Sequence, residues 1–187
     1  MPVMGMIESA DFLRATLPVF LVRCIAAGLC GAIVGLEREL MRKPAGLRTN
    51  IMICTGSAIY MWAGLLLTGT PGATAVDPSR IAAQVVTGIG FLGAGCIIQA
   101  GGRVTGLTSA ATIWVVAAIG LMAGAGYPVL ALVASLGAVG TLALLGALER
   151  RVFHSGQPDE YQHVNSAAPS ATAGASGGSG DRRRPPA

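Results

Sequence analysis

Charge is what this sequence has least of. Only 12% of its 187 residues are Asp, Glu, Lys or Arg, where a soluble domain carries about 25%. Between Ile81 and Leu148 one charged side chain occurs, Arg103, and no acidic residue lies between Asp77 and Glu149. So few charges cannot cover the surface of a water-soluble fold, and the chain reads as an integral membrane protein. Histidine and cysteine are scarce too. His154 and His163 both fall in the C-terminal stretch, where scattered histidines are solvated groups rather than ligands. Cys24, Cys30, Cys54 and Cys96 sit inside apolar runs without C-x-x-C spacing, and read as small buried apolar residues rather than redox or metal groups. No histidine stands near the serines, threonines and cysteines of the apolar runs, and no acid pair is available there, so no catalytic constellation is present and an enzyme is not expected. The net charge of +4 gives no argument for nucleic acid, because the basic residues lie between apolar runs or in the tail, as membrane topology requires.

What is present is a series of five apolar segments, about Leu17–Leu36, Ile51–Leu67, Ile81–Ile98, Thr108–Gly124 and Val129–Leu148. Each is near the roughly 17–25 residues of a spanning helix. Strand-like alternation is missing and open sheet edges cannot face lipid, so the expected fold is all-α, a polytopic membrane protein with about five transmembrane helices. Asp77-Pro78 supplies a capping carboxylate followed by proline at the first helical position. Pro44-Ala45-Gly46 stops the helix that leaves the first segment. Gly124-Ala125-Gly126-Tyr127-Pro128 leaves room for only a tight turn, so segments four and five form an antiparallel hairpin. Arg38, Arg42, Lys43, Arg48, Arg103, Arg150 and Arg151 all fall on one side, against Arg14 and Arg80 on the other. That places the N-terminus outside and the C-terminus in the cytoplasm. Arg23 lies in the outer part of the first span, where its long side chain can snorkel outward.

Three regions follow: an N-terminal segment 1–16 without the features of a cleaved signal, a transmembrane domain 17–150, and a tail 151–187. The tail is rich in Gly, Ser, Ala and Pro and is expected to be disordered and cytoplasmic, since it has too few large apolar groups to fold alone.

The string Gly88-Ile89-Gly90-Phe91-Leu92-Gly93 fits the G-x-G-x-x-G pattern of a dinucleotide turn. That turn needs a strand before it and an acidic residue about 20 positions later. Neither is here. At 100° per residue, Arg80, Ala83, Gln84, Thr87, Gly90, Phe91 and Ala94 share one small and polar face, and Ile81, Val85, Ile89, Leu92 and Cys96 a bulky apolar one. Small residues let helix backbones approach in lipid. Ala27, Gly31 and Gly35 form a second such ladder on the first helix, and Ala110, Ala117, Gly120 and Gly124 cluster on the fourth. Ala27, Gly31, Gly35, Gly90 and Ala94 are therefore expected packing positions.

The polar residues at the membrane boundaries are the candidate functional positions: Glu37, Arg38 and Glu39 where the first helix leaves the membrane, Lys43 and Arg48 in the loop that follows, Asp77 and Arg80 at the outer end of the third helix, Gln84 one turn inside, and Arg103. Glu37 or Glu39 could meet Mg²⁺ through water, but carboxylates at i and i+2 point apart on a helix and make no cage alone. No metal ligand set and no cofactor is assigned, with Mg²⁺ the one ion considered.

GAIVGLEREL (31–40), KPAGLRT (43–49), DPSRIAAQVVTGIGFLGAGCII (77–98) and GLTSAATIWVVAAIG (106–120) resemble the MgtC/SapB family of bacterial inner-membrane proteins over about residues 17–150. The resemblance implies a multi-pass domain in the inner membrane, with signature positions at Glu37, Arg38, Glu39, Lys43, Pro44, Gly46, Leu47, Arg48, Asp77, Arg80, Gln84 and Trp114. It implies a link to growth at low Mg²⁺ and to survival of pathogens inside macrophages. It also implies a modulating role towards another integral membrane protein, an ATP synthase-type complex among them. Members of the MgtC type carry a folded cytoplasmic ACT-like domain after the last span, and the tail here resembles that of a short member lacking it. The expected partners are thus the lipid bilayer, another membrane protein and further copies of the chain. The expected role is non-enzymatic, with an oligomeric transporter or channel for Mg²⁺ or a small solute as the alternative.

Overall fold

The computed structural model describes residues 10–68, 77–100 and 103–153. The N-terminal residues 1–9 and nearly all of the expected tail, 154–187, lie outside the described residues. Five helices occur among them: α1 (Ala10–Leu40), α2 (Leu47–Thr68), α3 (Pro78–Gly95), α4 (Leu107–Ala125) and α5 (Pro128–Phe153). A two-stranded antiparallel ribbon, β1 (Ile98–Ala100) and β2 (Arg103–Thr105), connects α3 to α4, with Ile98 opposite Thr105 and Ala100 opposite Arg103. By its contacts the chain divides into residues 1–146 and 147–187, and of the second unit the described residues are the last turns of α5.

Four helices, α1, α2, α4 and α5, are long and apolar enough to cross a membrane. The third apolar segment does form a helix, but a shorter one than Ile81–Ile98. Cys96 caps α3 through its N–H to the Gly93 and Ala94 carbonyls, and Ile98 already belongs to β1. Arg80, Gln84 and the run of glycines lower the apolarity of α3 over its 18 residues. It falls short of the four by that measure.

The core of the first unit is built around α4, which packs on α1, α2 and α3. Ile113, Val116 and Ile119 of α4 are fully buried, together with Val34 of α1 and Cys54 of α2. The helices meet at small residues because lipid offers no hydrophobic reward for association, and close van der Waals contact must hold them. A Cβ at Gly31 would lie 2.7 Å from the Asn50 carbonyl oxygen, and one at Gly35 would lie 2.8 Å from Leu47 Cα. Gly120 and Gly124 of α4 likewise sit against the Cys54 and Ala58 carbonyls of α2. Ala27 is fully buried in the same seam. On α3 the bulky face turns inward: Ile89 and Gly93 are buried, and Ile81 reaches the surface of Gly64. Gly90 and Ala94 pack on no described helix. Both are exposed, and a Cβ at Gly90 would meet nothing within 4 Å. Leu92 is 48% exposed and does not join the inner face. In α5, Ala131 and Ser135 are fully buried, whereas Gly137 and Gly140 face open space.

The α4–α5 connection is a helix end of the Schellman type. Gly126, at φ 102°, donates to Ala123 O, and Tyr127 donates to Met122 O. Only glycine takes that φ without cost. The Gly124 carbonyl, freed at the same helix end, accepts from Arg23 Nη1 at 2.6 Å. The Arg23 guanidinium also lies over the Trp62 ring, 4.4 Å from its centroid, and Trp62 tilts against Phe20. Arg23 is therefore tied to the α4–α5 turn: a helix end, which has carbonyls to spare, gives the cation an acceptor.

Candidate functional site

The polar residues singled out along α1 converge on its junction with α2. Helix α1 ends in a second Schellman turn, with Arg42 N–H donating to Glu39 O and Lys43 N–H to Arg38 O, both at 3.0 Å. Here the left-handed position is occupied by Arg42, at φ 51°, and a second non-glycine residue, Ala45, has φ 59°. The left-handed helical region costs an L-residue roughly 1–2 kcal/mol. Gly46 then lets the Glu39 side chain close in. A Cβ at Gly46 would overlap Glu39 Oε2, and that oxygen accepts the Leu47 N–H at 3.0 Å. Glu39 thus caps α2 from the end of α1, and its charge suits a helix N-terminus.

Asn50 holds the turn from the inside. It is fully buried, and its Nδ2 donates to Ala45 O at 2.5 Å and Gly46 O at 2.8 Å. Arg38 is buried as well, 4% exposed against 11% for Glu37, and the two form a bidentate pair, Nε to Oε2 at 2.5 Å and Nη2 to Oε1 at 2.8 Å. Arg38 Nη1 and Asn50 Oδ1 are buried without a hydrogen-bond partner. Leaving each unmade costs about 1–3 kcal/mol. The junction thus gathers two left-handed non-glycine residues, a buried ion pair, an unpaired donor and an unpaired acceptor within fourteen residues of chain, Glu37 to Asn50. Arg42, Lys43 and Arg48 stand exposed around it.

The remaining candidates lie elsewhere. Asp77 caps α3: its Oδ1 accepts the Ser79 N–H at 2.8 Å and its Oδ2 the Ser79 hydroxyl at 2.6 Å. These bonds, the hydroxyl first, hold its carboxyl below the usual carboxylate range. Arg80 and Gln84 are exposed on α3, and Arg103 is in β2. Thr87 Oγ1 donates back to Ala83 O. Among the described residues no three His, Cys, Asp or Glu side chains come together as a metal cage. Glu37 is paired with Arg38, Glu39 with the α2 N-terminus, and Asp77 with Ser79.

Asn50 is the residue that sequence reading passed over. An asparagine three residues after Leu47 looks like ordinary polar punctuation near a helix start. Only the opposing Gly31 and Gly35 show that it is enclosed. The Arg23–Trp62–Gly124 contact was equally hidden, since its partners are distant in sequence.

Comparison with known proteins accords with this geometry. The MgtC family model matches residues 24–151, which include α1 from Cys24, the junction and the whole α2–α4 core. The protein named "Putative magnesium transporter YhiD" of Escherichia coli K12 is 46% identical over 142 residues, covering 72% of this chain and 60% of that protein. "Protein MgtC" of Salmonella typhimurium LT2 is 45% identical over 107 residues, 57% of this chain and 44% of its own length. "Protein MgtC" of Brucella abortus is 43% identical over 126 residues, 67% of this chain and 51% of its own. The chain therefore spans about half of the length of these relatives, up to 60%. No solved structure matches it. With a match running from the middle of α1 to the end of α5, and four helices fit to cross a bilayer, the chain belongs to the MgtC family and is a multi-pass protein of the bacterial inner membrane.

Proposed function

We infer that the protein is a non-enzymatic modulator that docks on another membrane complex through the α1–α2 junction, in connection with Mg²⁺ limitation or envelope stress. One observation carries the reading: local stability is given up repeatedly at this junction, at Arg42, Ala45, Arg38 and Asn50. Breaches of local rules that persist in a folded chain concentrate where a protein meets something else. The exposed Arg42, Lys43 and Arg48 give the surface a basic character, and the arginine count puts it on the cytoplasmic face. There it suits an acidic loop of a membrane complex, an ATP synthase-type assembly being a first case to try. The link to Mg²⁺ comes from the relative whose name calls it a magnesium transporter.

The test is a photo-crosslinker at Lys43 or Arg48, activated in native membranes grown at low Mg²⁺, with the adducts identified by mass. A recurring membrane protein is the expected product, and adducts with lipid or with the chain itself alone would sink the reading. A second reading, an oligomeric Mg²⁺ or small-solute channel, is favoured by the exposed Arg80, Gln84 and Thr87 face of α3. Against it stands the lack of any acidic residue between Asp77 and Glu149, since cation paths carry acidic groups at depth. Mg²⁺ flux into proteoliposomes that Arg80→Ala abolishes would favour the channel.

A further inference from the structure

Two helices of the bundle run on where two others turn back. Helix α4 ends one residue after Gly124, and the Arg23 guanidinium is bonded to the Gly124 carbonyl. Helix α1 continues past Arg23 for the thirteen residues from Val22 back to Ala10, about 20 Å of helix. Helix α2 continues past Trp62 for the six residues to Thr68, about 9 Å. Leu17, Leu21 and Leu67 on these extensions are about half exposed, and such leucines belong in hydrocarbon rather than water. The leaflet therefore reaches further along α1 and α2 than the α4–α5 turn does. The rim of the bundle has a step at that end, with Arg23 at its foot.

The guanidinium is set for a ligand that no described residue supplies. The Trp62 ring covers its face, 4.4 Å from centroid to Cζ, and it lies against Gly126, where a Cβ would stand 2.9 Å from Nη2. Stacking leaves the edges of the fork for hydrogen bonds. Arginine carries five N–H donors, and among the described residues the acceptor they find is the Gly124 oxygen. No described carboxylate pairs with Arg23, the ion pair there being that of Glu37 and Arg38. Asp11 is twelve residues away along α1, and Asp77 is held by Ser79. Arg23 is only partly buried, so its remaining donors can be reached. Acyl chains over them would leave a charge in hydrocarbon without a partner. A phosphate fits instead, because the fork matches two of its oxygens. Every leaflet carries phosphates, and bilayers thin locally around a cation that lies below their surface. Phosphatidylglycerol has no amine to hold its own phosphate, which leaves its oxygens free for the fork. Tyr127, next to Gly126 and 60% exposed, is the kind of residue that sits at headgroup level.

We propose that Arg23, at the foot of this step, binds a phosphate oxyanion, carried by a phospholipid headgroup drawn down to it or free in solution. The site is separate from the α1–α2 junction, which lies at the other end of α1.

Native mass spectrometry of the delipidated full-length chain, titrated with phosphatidylglycerol, counts the lipids held. The parent chain holds one tightly. Arg23→Gln weakens that binding at least tenfold, about 1.4 kcal/mol. Arg14→Gln removes an exposed cation nine residues further out on the same helix and leaves the binding within about twofold. Excess inorganic phosphate separates the two sources. A bound headgroup stays in place against it, whereas a site for free anion takes up phosphate in the lipid-free parent chain and loses it in Arg23→Gln. A second measurement keeps Arg23 in place and decides the matter should Arg23→Gln not fold. Trp114→Phe leaves Trp62 as the sole tryptophan. In phosphatidylglycerol vesicles a nitroxide on the lipid headgroup then quenches Trp62 more strongly than one at the middle of the acyl chain. Stronger quenching from the acyl label overturns the proposal, because hydrocarbon then covers the site. So does an Arg23→Gln chain that binds lipid and phosphate like the parent, or an equal loss in Arg14→Gln.

Discussion

Arg38 and Glu37 set the stakes at the level of single residues. The pair is nearly out of reach of solvent, so each charge depends on the other. Arg38→Ala strands the carboxylate, and about 3–5 kcal/mol of stability is the expected loss. Replacing both, Glu37→Leu with Arg38→Leu, costs far less, because no lone charge remains. Thermal-aggregation midpoints in detergent compare the two, and equal losses would show that the pair is not a coupled unit. Arg42 offers the opposite trade. Arg42→Gly removes left-handed strain and should raise stability by up to about 1 kcal/mol, while the junction loses a basic group. If the junction is a docking surface, the same variant lowers the yield of the Lys43 crosslink. A gain in stability with an unchanged yield would move Arg42 out of the contact.

Individual helices were the most legible part of the sequence. Their positions follow from the length of the apolar runs, and the start of α3 from Asp77-Pro78. The end of α3 was not legible. Ile97 and Ile98 continue an apolar run, and nothing in their side chains announces that Cys96 closes the helix and that Ile98 pairs with Thr105. Periodicity separated the two stripes of α3, Leu92 apart, but did not tell which one turns inward, because it gives the angle between stripes and says nothing about which neighbour claims them. Gly90 and Ala94 ended on the open side for that reason.

Two predictions belong at this scale. Asp77 is held ionised by Ser79, so its folded value is depressed. The cap is intact above the ordinary carboxylate value of 3.8 and is lost as pH falls through the lower folded one. Amide exchange at Ser79 and Arg80 should therefore accelerate in acid, beyond the ordinary chemical trend, and Asp77→Asn should erase that excess. The second concerns seams. Gly120→Val and Gly124→Val drive a side chain into the α2 backbone, and about 1–3 kcal/mol each is expected from overpacking. Gly137→Val and Gly140→Val on α5, where space is open, should stay within about 0.5 kcal/mol. Unfolding in mixed micelles ranks the four. A cost on α5 as large as on α4 would mean that something covers α5.

Taken whole, the first unit is a bundle in which α4 is the shared neighbour, and its lateral order could not be read from the sequence. Which helix sits at the centre depends on which seams are small on both partners. That is a joint property of Gly31 with Asn50, and of Gly120 and Gly124 with Cys54 and Ala58, invisible in any one segment. The same holds for Arg23. Its acceptor, the Gly124 carbonyl, lies 101 residues further along the chain. During synthesis, α1 emerges with a cation in its apolar length long before the acceptor has been made. Until then the guanidinium has only Trp62, or the headgroups, to turn to. The first helix is thus made early and settled late. Its final depth in the bilayer waits for translation to pass Gly124, so a ribosome stalled before that point should leave Arg23 open to aqueous probes, and one stalled well after it should not.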